Sequence, residues 1–333
     1  MRARRGVALI AALWLVVAIA AVALQLALDA RDRRLLGLGA SERGIELAAA
    51  NGALAMVQAR LDQVLRTAPS GTGAVAALRA SDPWLGVDSL YAGTWYVDSM
   101  PVDVSIKDLG TQLNINAMSE IQLRAFFDWI LKDYLTADKL AQCIMDWRDV
   151  DTIPRPNGAE RSQYIRDGRL ALPADAPFRE VSELLDVEGM TPEIYGQVAR
   201  YLRTRGDPAV NLNTAPEAVL RALPGMTDQI LLLILASRSQ GRRITSVAQV
   251  IPQAAGPGGR GVMIGGRGGR GPDPAYQQLQ MQIQSAATVS TTQIELTMTA
   301  RVGPQAQPVR LIADMSRPAT NAGGATTITY RQW

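Results

Sequence analysis

Hydrophobic and polar positions along the chain fall into a few distinct regimes. From Val7 to Leu28 the only polar side chain is Gln25, and as a helix this run of about 22 residues spans roughly 33 Å, enough to cross a hydrocarbon core. From Leu35 to Leu65 the apolar residues Ile45, Leu47, Ala48, Leu54, Met56, Val57, Leu61 and Leu65 are spaced among Glu, Arg and Gln. That spacing predicts an amphipathic helix continuing the first. The segments "GTWYVDSM" and "VDVSIKDLG" then alternate as half-buried strands do, and alternation returns in "TTQIELTMTARVG", "PVRLIADMS" and "TTITYRQW". Between them, from Leu113 to about Val250, the pattern is helical. The chain therefore reads as α+β: a long hydrophobic N-terminal helix, a small antiparallel sheet, and a large α-helical domain inserted between the strands.

Segment boundaries follow from these changes. Residues 1–6 form a basic leader and 7–65 the membrane and packing helix. The first strands lie in 66–112, the inserted helical domain in 113–250, a glycine-rich loop in 251–280 and the last strands in 281–333. A cleaved secretory signal fits poorly, because the apolar core is long and the charged run from Asp29 to Arg34 follows it. Arg2, Arg4 and Arg5 precede the span, so the N-terminus is expected in the cytoplasm and the bulk of the chain outside.

The helical block contains a repeat. In "LNINAMSEIQLRAF" and "VNLNTAPEAVLRAL", Asn114, Asn116, Glu120, Leu123, Arg124 and Ala125 match Asn211, Asn213, Glu217, Leu220, Arg221 and Ala222. Thr214 and Glu217 have the spacing of a capping box, with Pro216 in the first turn. A second echo sets Leu184, Val187, Gly189, Met190 and Thr191 against Leu220, Leu223, Gly225, Met226 and Thr227. Each ends one helix on a glycine turn and starts another, in the manner of a helix-hairpin-helix.

Composition narrows the chemistry. The 333 residues include no histidine and a single cysteine, Cys143. Ser-His-Asp and Cys-His catalysis are thereby excluded, as are zinc sites that need histidine or several cysteines. No GxxxxGK[ST] cradle for a nucleotide is present. The formal charge of +3 is concentrated in the leader and in "GPGGRGVMIGGRGGRG", a segment too glycine-rich to pack. Hairpin binding to DNA is opposed by Glu188, Glu193 and Asp228 beside the turns, which would repel a phosphate. The acidic run "DWRDVDTIPRPNGAE" gathers Asp146, Asp149, Asp151 and Glu160 around a loop. Hard oxygen ligands on such a loop suit Ca²⁺, and a solvated loop with a helix cap explains the same residues.

Taken together, "RRGVALIAALWLVVAIAAVALQ", "DWRDVDTIPRPNGAE", "FREVSELLDVEGMTPEIY" and "VNLNTAPEAVLRALPGM" resemble the K-type minor pseudopilins of the bacterial type II secretion system. The resemblance implies cleavage by a prepilin peptidase after Gly6 and methylation of Val7. It implies a pseudopilin sheet interrupted by a helical domain that holds calcium. It also implies an inner-membrane protein with a periplasmic domain, joined at the filament tip to I-type and J-type minor pseudopilins and to other pseudopilins. Ala11 stands where most pilin-like subunits carry a glutamate that pairs with the amine of the subunit ahead, which agrees with a place at the very tip. The role expected is non-enzymatic, with no nucleic acid bound. The alternative is a membrane-tethered DNA-binding protein of the uptake type.

Overall fold

The structure, a computed structural model, describes residues 41–67, 82–251, 274–302, 307–318 and 325–332. Of the expected membrane span it describes only Trp14, Ala20, Leu24, Gln25 and Leu28, each helical and exposed. Gly6, Val7 and Ala11 lie outside the described residues, as do positions 252–273 of the glycine-rich segment. Among the described residues, no helix is long and apolar enough to cross a membrane.

Helix α1 (residues 41–66) lies on one face of an antiparallel sheet. Its buried positions, Ala49, Ala50, Ala53, Leu54, Val57 and Leu61, recur at helical spacing. They meet Val102, Val104, Ile106, Leu296, Met298, Leu311 and Ala313 from the sheet. Half of the packing face is thus alanine, whereas Ile45 and Met56, read as part of the apolar side, are exposed. Small side chains let the helix axis approach the strands. At Gly52 the approach is closest, since a Cβ there would come within 2.8 Å of the Val97 side chain. Two buried carboxylates on α1 satisfy backbone donors at the sheet margins: Glu46 accepts from Val302 N (2.8 Å) and Asp62 from Thr326 N (2.7 Å). Burying those acids is tolerable because each meets an N–H that would otherwise be orphaned.

After the short helix α2 (Val87–Leu90) come strands β1 (Gly93–Val97) and β2 (Met100–Asp108). The late strands are β7 (Gln293–Ala300), β8 (Val309–Ser316) and β9 (Thr327–Gln332). They pair in the order β1-β2-β7-β8-β9, every pair antiparallel. Alternating burial along β2 and β7 matches the alternation in the sequence. Asp108 pairs with Ile294 in the register of β2 on β7. Everything between these strands is therefore one insertion whose two ends are neighbours.

The insertion has its own hydrophobic core and is built from two similar units. In the first, β3 (Leu113–Asn114) leads into α3 (Glu120–Leu131), α4 (Tyr134–Arg148) and α5 (Arg161–Arg166), then α6 (Pro192–Val198) and β4 (Leu202–Arg203). In the second, β5 (Val210–Asn211) leads into α7 (Glu217–Arg221), α8 (Asp228–Ser239), α9 (Pro274–Ala286) and β6 (Ala287–Thr288). In each unit the first strand pairs in parallel with the last. Helix α9 runs across the boundary expected at residue 281, and β6 returns to the inserted lobe before the sheet resumes.

The repeated asparagines explain the duplication. Asn116 Nδ2 donates to the carbonyls of Phe178 and Thr204 while its Oδ1 accepts from Phe178 N. Asn213 does the same with Ile244 and Val289. Asn114 and Asn211 each accept, through Oδ1, the backbone N–H two residues on, the local turn that asparagine favours. An arginine at or near the end of the second helix closes each unit. Arg148 donates to the carbonyls of Ile115 and Met118, and Arg238 to those of Leu212 and Ala215.

Two local expectations are corrected. Thr214 does not cap α7: the helix starts at Glu217 with Pro216 as its N-cap, and the Thr214 hydroxyl donates to Asp108 (2.8 Å). The capping box forms in the first unit instead, between Ser119 and Gln122. The echo around Gly189 and Gly225 is a shared turn, with φ of 84° and 75° and with Thr191 and Thr227 each capping the following helix. The helix before the first turn, Val181–Asp186, is a 3₁₀ stretch, so the pair is not a repeat of two α-helical hairpins.

Because Asn116 and Asn213 do the same work, Asn116→Ala and Asn213→Ala should each destabilise the full chain, by about 2–4 kcal/mol for the several buried backbone groups left unpaired. Urea unfolding of the two variants checks this. Near-wild-type stability of either would show that the asparagine does not hold its unit.

Candidate metal centre

The acidic loop hangs from the end of α4. That helix carries Cys143 and Asp146 on its buried side, and Asp149 follows as its C-cap. The loop returns at Glu160, the N-cap residue of α5, whose side chain makes no capping bond. Asn157 fixes the return by accepting from Cys143 and donating to Gln142 and Asp138. Gly158 passes against Asp146 so closely that a Cβ there would overlap the carboxylate.

Of the four acidic residues expected to act together, the structure gathers three. Asp149, Asp151 and Glu160 each offer a carboxylate oxygen, all within 4.8 Å of one another. Asp146 does not join them, because both its oxygens are taken by Arg155, one by the guanidinium and one by the backbone N–H. Arg155 also reaches Asp149 Oδ2 (2.6 Å) and, more loosely, Glu120 (3.5 Å). Sequence spacing placed Asp146 beside the cluster, but the arginine in the loop was the residue that decided its role.

Electrostatics leave the cluster short of positive charge. Glu160 is only 2% exposed, and neither of its carboxylate oxygens has a hydrogen-bond partner. The Oδ1 of Asp149 is likewise buried and unpartnered. Burial pushes the Glu160 carboxyl above the usual range, and the charges of Asp146, Asp149 and Asp175 push it further the same way, against a weaker pull from the Arg161 backbone N–H. Asp146 is also raised by burial, against the pull of Arg155. Asp175 is a contributor that spacing alone did not reveal. It is brought in by Arg161 (3.1 Å) and a left-handed backbone at φ 49°. An unpaired buried carboxylate is expensive, so a cation or a proton is needed there.

Other sequence candidates resolve differently. Burial raises the Cys143 thiol to about 12, which removes it as a nucleophile. At the glycine turns, Glu188 is paired with Lys139 and Arg169, and Asp228 with Arg221. The cations a phosphate would need are thus already engaged. Asn211, Asn213, Thr214, Pro216 and Gly225 shape the second unit and its contact with Asp108.

Comparisons with known proteins follow the same lines. Residues 105–205, from β2 to just beyond β4, match the family described as type II secretion system (T2SS), protein K. A Klebsiella pneumoniae protein, type II secretion system protein K, is 32% identical over 127 residues, which is 36% of this chain and 39% of that protein. The match thus spans well under half of that relative's length. A chain in the crystal structure of the GspK-GspI-GspJ complex from the enterotoxigenic Escherichia coli type 2 secretion system shares the fold. Its TM-score is 0.59, over 88% of this chain and 96% of that one, at 16% identity. The DNA-uptake alternative finds no support among these likenesses. The segment that carries β3, the acidic loop and β4 is thus the part that matches the protein K family, and the solved chain shares the fold of the whole.

Proposed function

We propose that the chain is a K-type minor pseudopilin, a non-enzymatic subunit that initiates or caps the type II secretion pseudopilus for export of proteins across the outer membrane. The observation that carries this is a helical insertion, whose first unit matches the protein K family, between adjacent strands of a sheet backed by a long helix. The helix would pack among sister helices while the inserted lobe, too broad to be followed by another subunit, closes the end. The exposed, helical Trp14, Leu24 and Leu28 favour an apolar surround for the N-terminal run, since such a stripe is costly in water. On this reading a prepilin peptidase cuts after Gly6, Val7 is methylated, and the chain is anchored in the inner membrane with its lobe in the periplasm. Ala11 then suits a subunit with no amine ahead of it to neutralise. Its partners are the I-type and J-type minor pseudopilins, joined by other pseudopilins of the filament.

A structural calcium ion belongs to the same proposal. Asp149, Asp151 and Glu160 would hold it, offering the hard oxygen ligands this ion prefers. The orphaned oxygens of Glu160 and the free Oδ1 of Asp149 fit a cation, since Arg155 is held by Asp146 and by the other oxygen of Asp149. The ion would neutralise the cluster and tie the loop to α5.

Copurification tests the assembly. The full chain, coexpressed with I-type and J-type partners, should be recovered with both and should begin at Val7. Recovery alone with its first six residues intact would contradict the proposal.

Thermal unfolding tests the ion. Calcium at 100 times its Kd should stabilise the full chain by about 2.7 kcal/mol over the chelated form, and Glu160→Gln should abolish the difference while leaving the chelated protein folded. The pH dependence has a definite sign. Glu160 binds its proton more tightly folded than unfolded, so metal-free stability falls as pH rises from the unfolded value through the raised folded value. Calcium takes the ionised carboxylate, so the calcium-induced shift in Tm should vanish in acid and grow across that window. A shift independent of pH, or retained in Glu160→Gln, would contradict the assignment.

A further inference from the structure

A cavity of about 310 Å³ opens where α3, α6 and α7 meet. Its walls include Trp129, Lys132, Gln197, Arg200 and Tyr201, and its lining holds two cations and no carboxylate. Both cations are held against aromatic rings. The Lys132 ammonium stands 3.2 Å from the centroid of the Trp129 ring, and the Arg200 guanidinium lies 4.6 Å from that of Tyr201. Arg221 also lies on Trp129, at 3.8 Å, but Glu217 and Asp228 neutralise it. Among the described residues, Lys132 and Arg200 make no ion pair of the kind that occupies Arg221, and Arg200 donates only to the Tyr201 hydroxyl.

The aromatic rings fix the positions of these charges without cancelling them, since a ring quadrupole attracts a cation but carries no net charge. The backbone assists: Lys132 sits in the left-handed region at φ 56° as the C-cap of α3, which turns it back toward Trp129. Two fixed, uncompensated cations over an aromatic floor make a site for an anion borne on an apolar stem.

We propose that this cavity binds a carboxylate of a partner protein, either a chain terminus or an acidic side chain, with its stem on Trp129 and Tyr201 and its charge between Lys132 and Arg200. The site does not depend on the acidic loop or on the assembly described above. A carboxylate on an apolar stem is favoured over inorganic phosphate because only the stem gains contact with the aromatic floor.

The indole N–H resonance of Trp129, identified by its loss in Trp129→Phe, reports on the cavity in the full chain. Three short acetylated peptides of Ala and Leu serve as probes: one with a free C-terminus, one amidated with an internal Glu, and one amidated and uncharged. A saturable shift with either acidic peptide and none with the uncharged one is expected, and which acidic peptide binds more tightly identifies the source of the carboxylate. Lys132→Asn with Arg200→Gln should weaken that binding at least tenfold without changing Tm, asparagine being tolerant of the left-handed backbone. An equal shift with the uncharged peptide, equal or tighter binding of inorganic phosphate, or unchanged affinity in the double variant would overturn the proposal.

Discussion

One carboxylate, that of Asp108 at the end of β2, joins the two halves of the molecule. Its Oδ1 accepts from Gly110 N (2.8 Å), and its Oδ2 accepts from Asn211 Nδ2 (2.9 Å), Thr214 Oγ1 (2.8 Å) and Thr291 Oγ1 (3.2 Å). These donors come from the exit of the sheet, the start of the second unit and the return toward β7. Gly110 must be glycine for the approach, as a Cβ there would lie 2.8 Å from that of Asn211. A second tie runs beside it, where the buried Asp82 pairs with Arg243 and accepts from Thr291 N. An insertion this long carries a loop-closure cost that grows only slowly with length, so a small, well-satisfied polar cluster suffices to fix where it begins and ends. Charge-assisted bonds of this kind are the stronger class.

Seen through the duplication, the variable parts of the lobe have a common logic. Between Arg148 and Phe178 the first unit runs through the acidic loop and α5. Between Arg238 and Ile244 the second unit makes the same journey in a few residues. Conversely, the glycine-rich segment falls in the second unit between the 3₁₀ turn ending at Val250 and α9, where the first unit has only the turn at Gly189. Each copy has kept the asparagine, the closing arginine and the parallel strand pair, and has been elaborated at a different connection. The acidic cluster is thus an addition to a scaffold that folds without it in the sister unit, which is why its charge balance needs a local remedy.

Much of this was legible in the sequence for physical reasons. Alternation in β2, β7 and β8 exposed the sheet, because one face is buried under α1 and the other is not. The asparagines shared by the two copies exposed the repeat, because at Asn116 and Asn213 a side-chain amide that satisfies three backbone groups tolerates little substitution. Other features were hidden. The alanine face of α1 gives a weak apolar signal, although it makes the contact. The two-residue parallel pairs are too short for any periodicity to show. Thr214 has the spacing of a cap, but Asp108, over a hundred residues earlier, takes its hydroxyl. Asp146 has the spacing of a ligand, but Arg155 takes both its oxygens. In each case a contact distant in sequence, or set by loop geometry, overrode the local reading.

If Asp108 is what holds the lobe to the sheet, hydrogen exchange of the full chain carrying Asp108→Ala tests the account most directly. Protection should fall together at Gly110, in residues 210–214 and in residues 287–291, while the strands under α1 keep theirs. Loss confined to Gly110, or exchange indistinguishable from the unsubstituted chain, would contradict it.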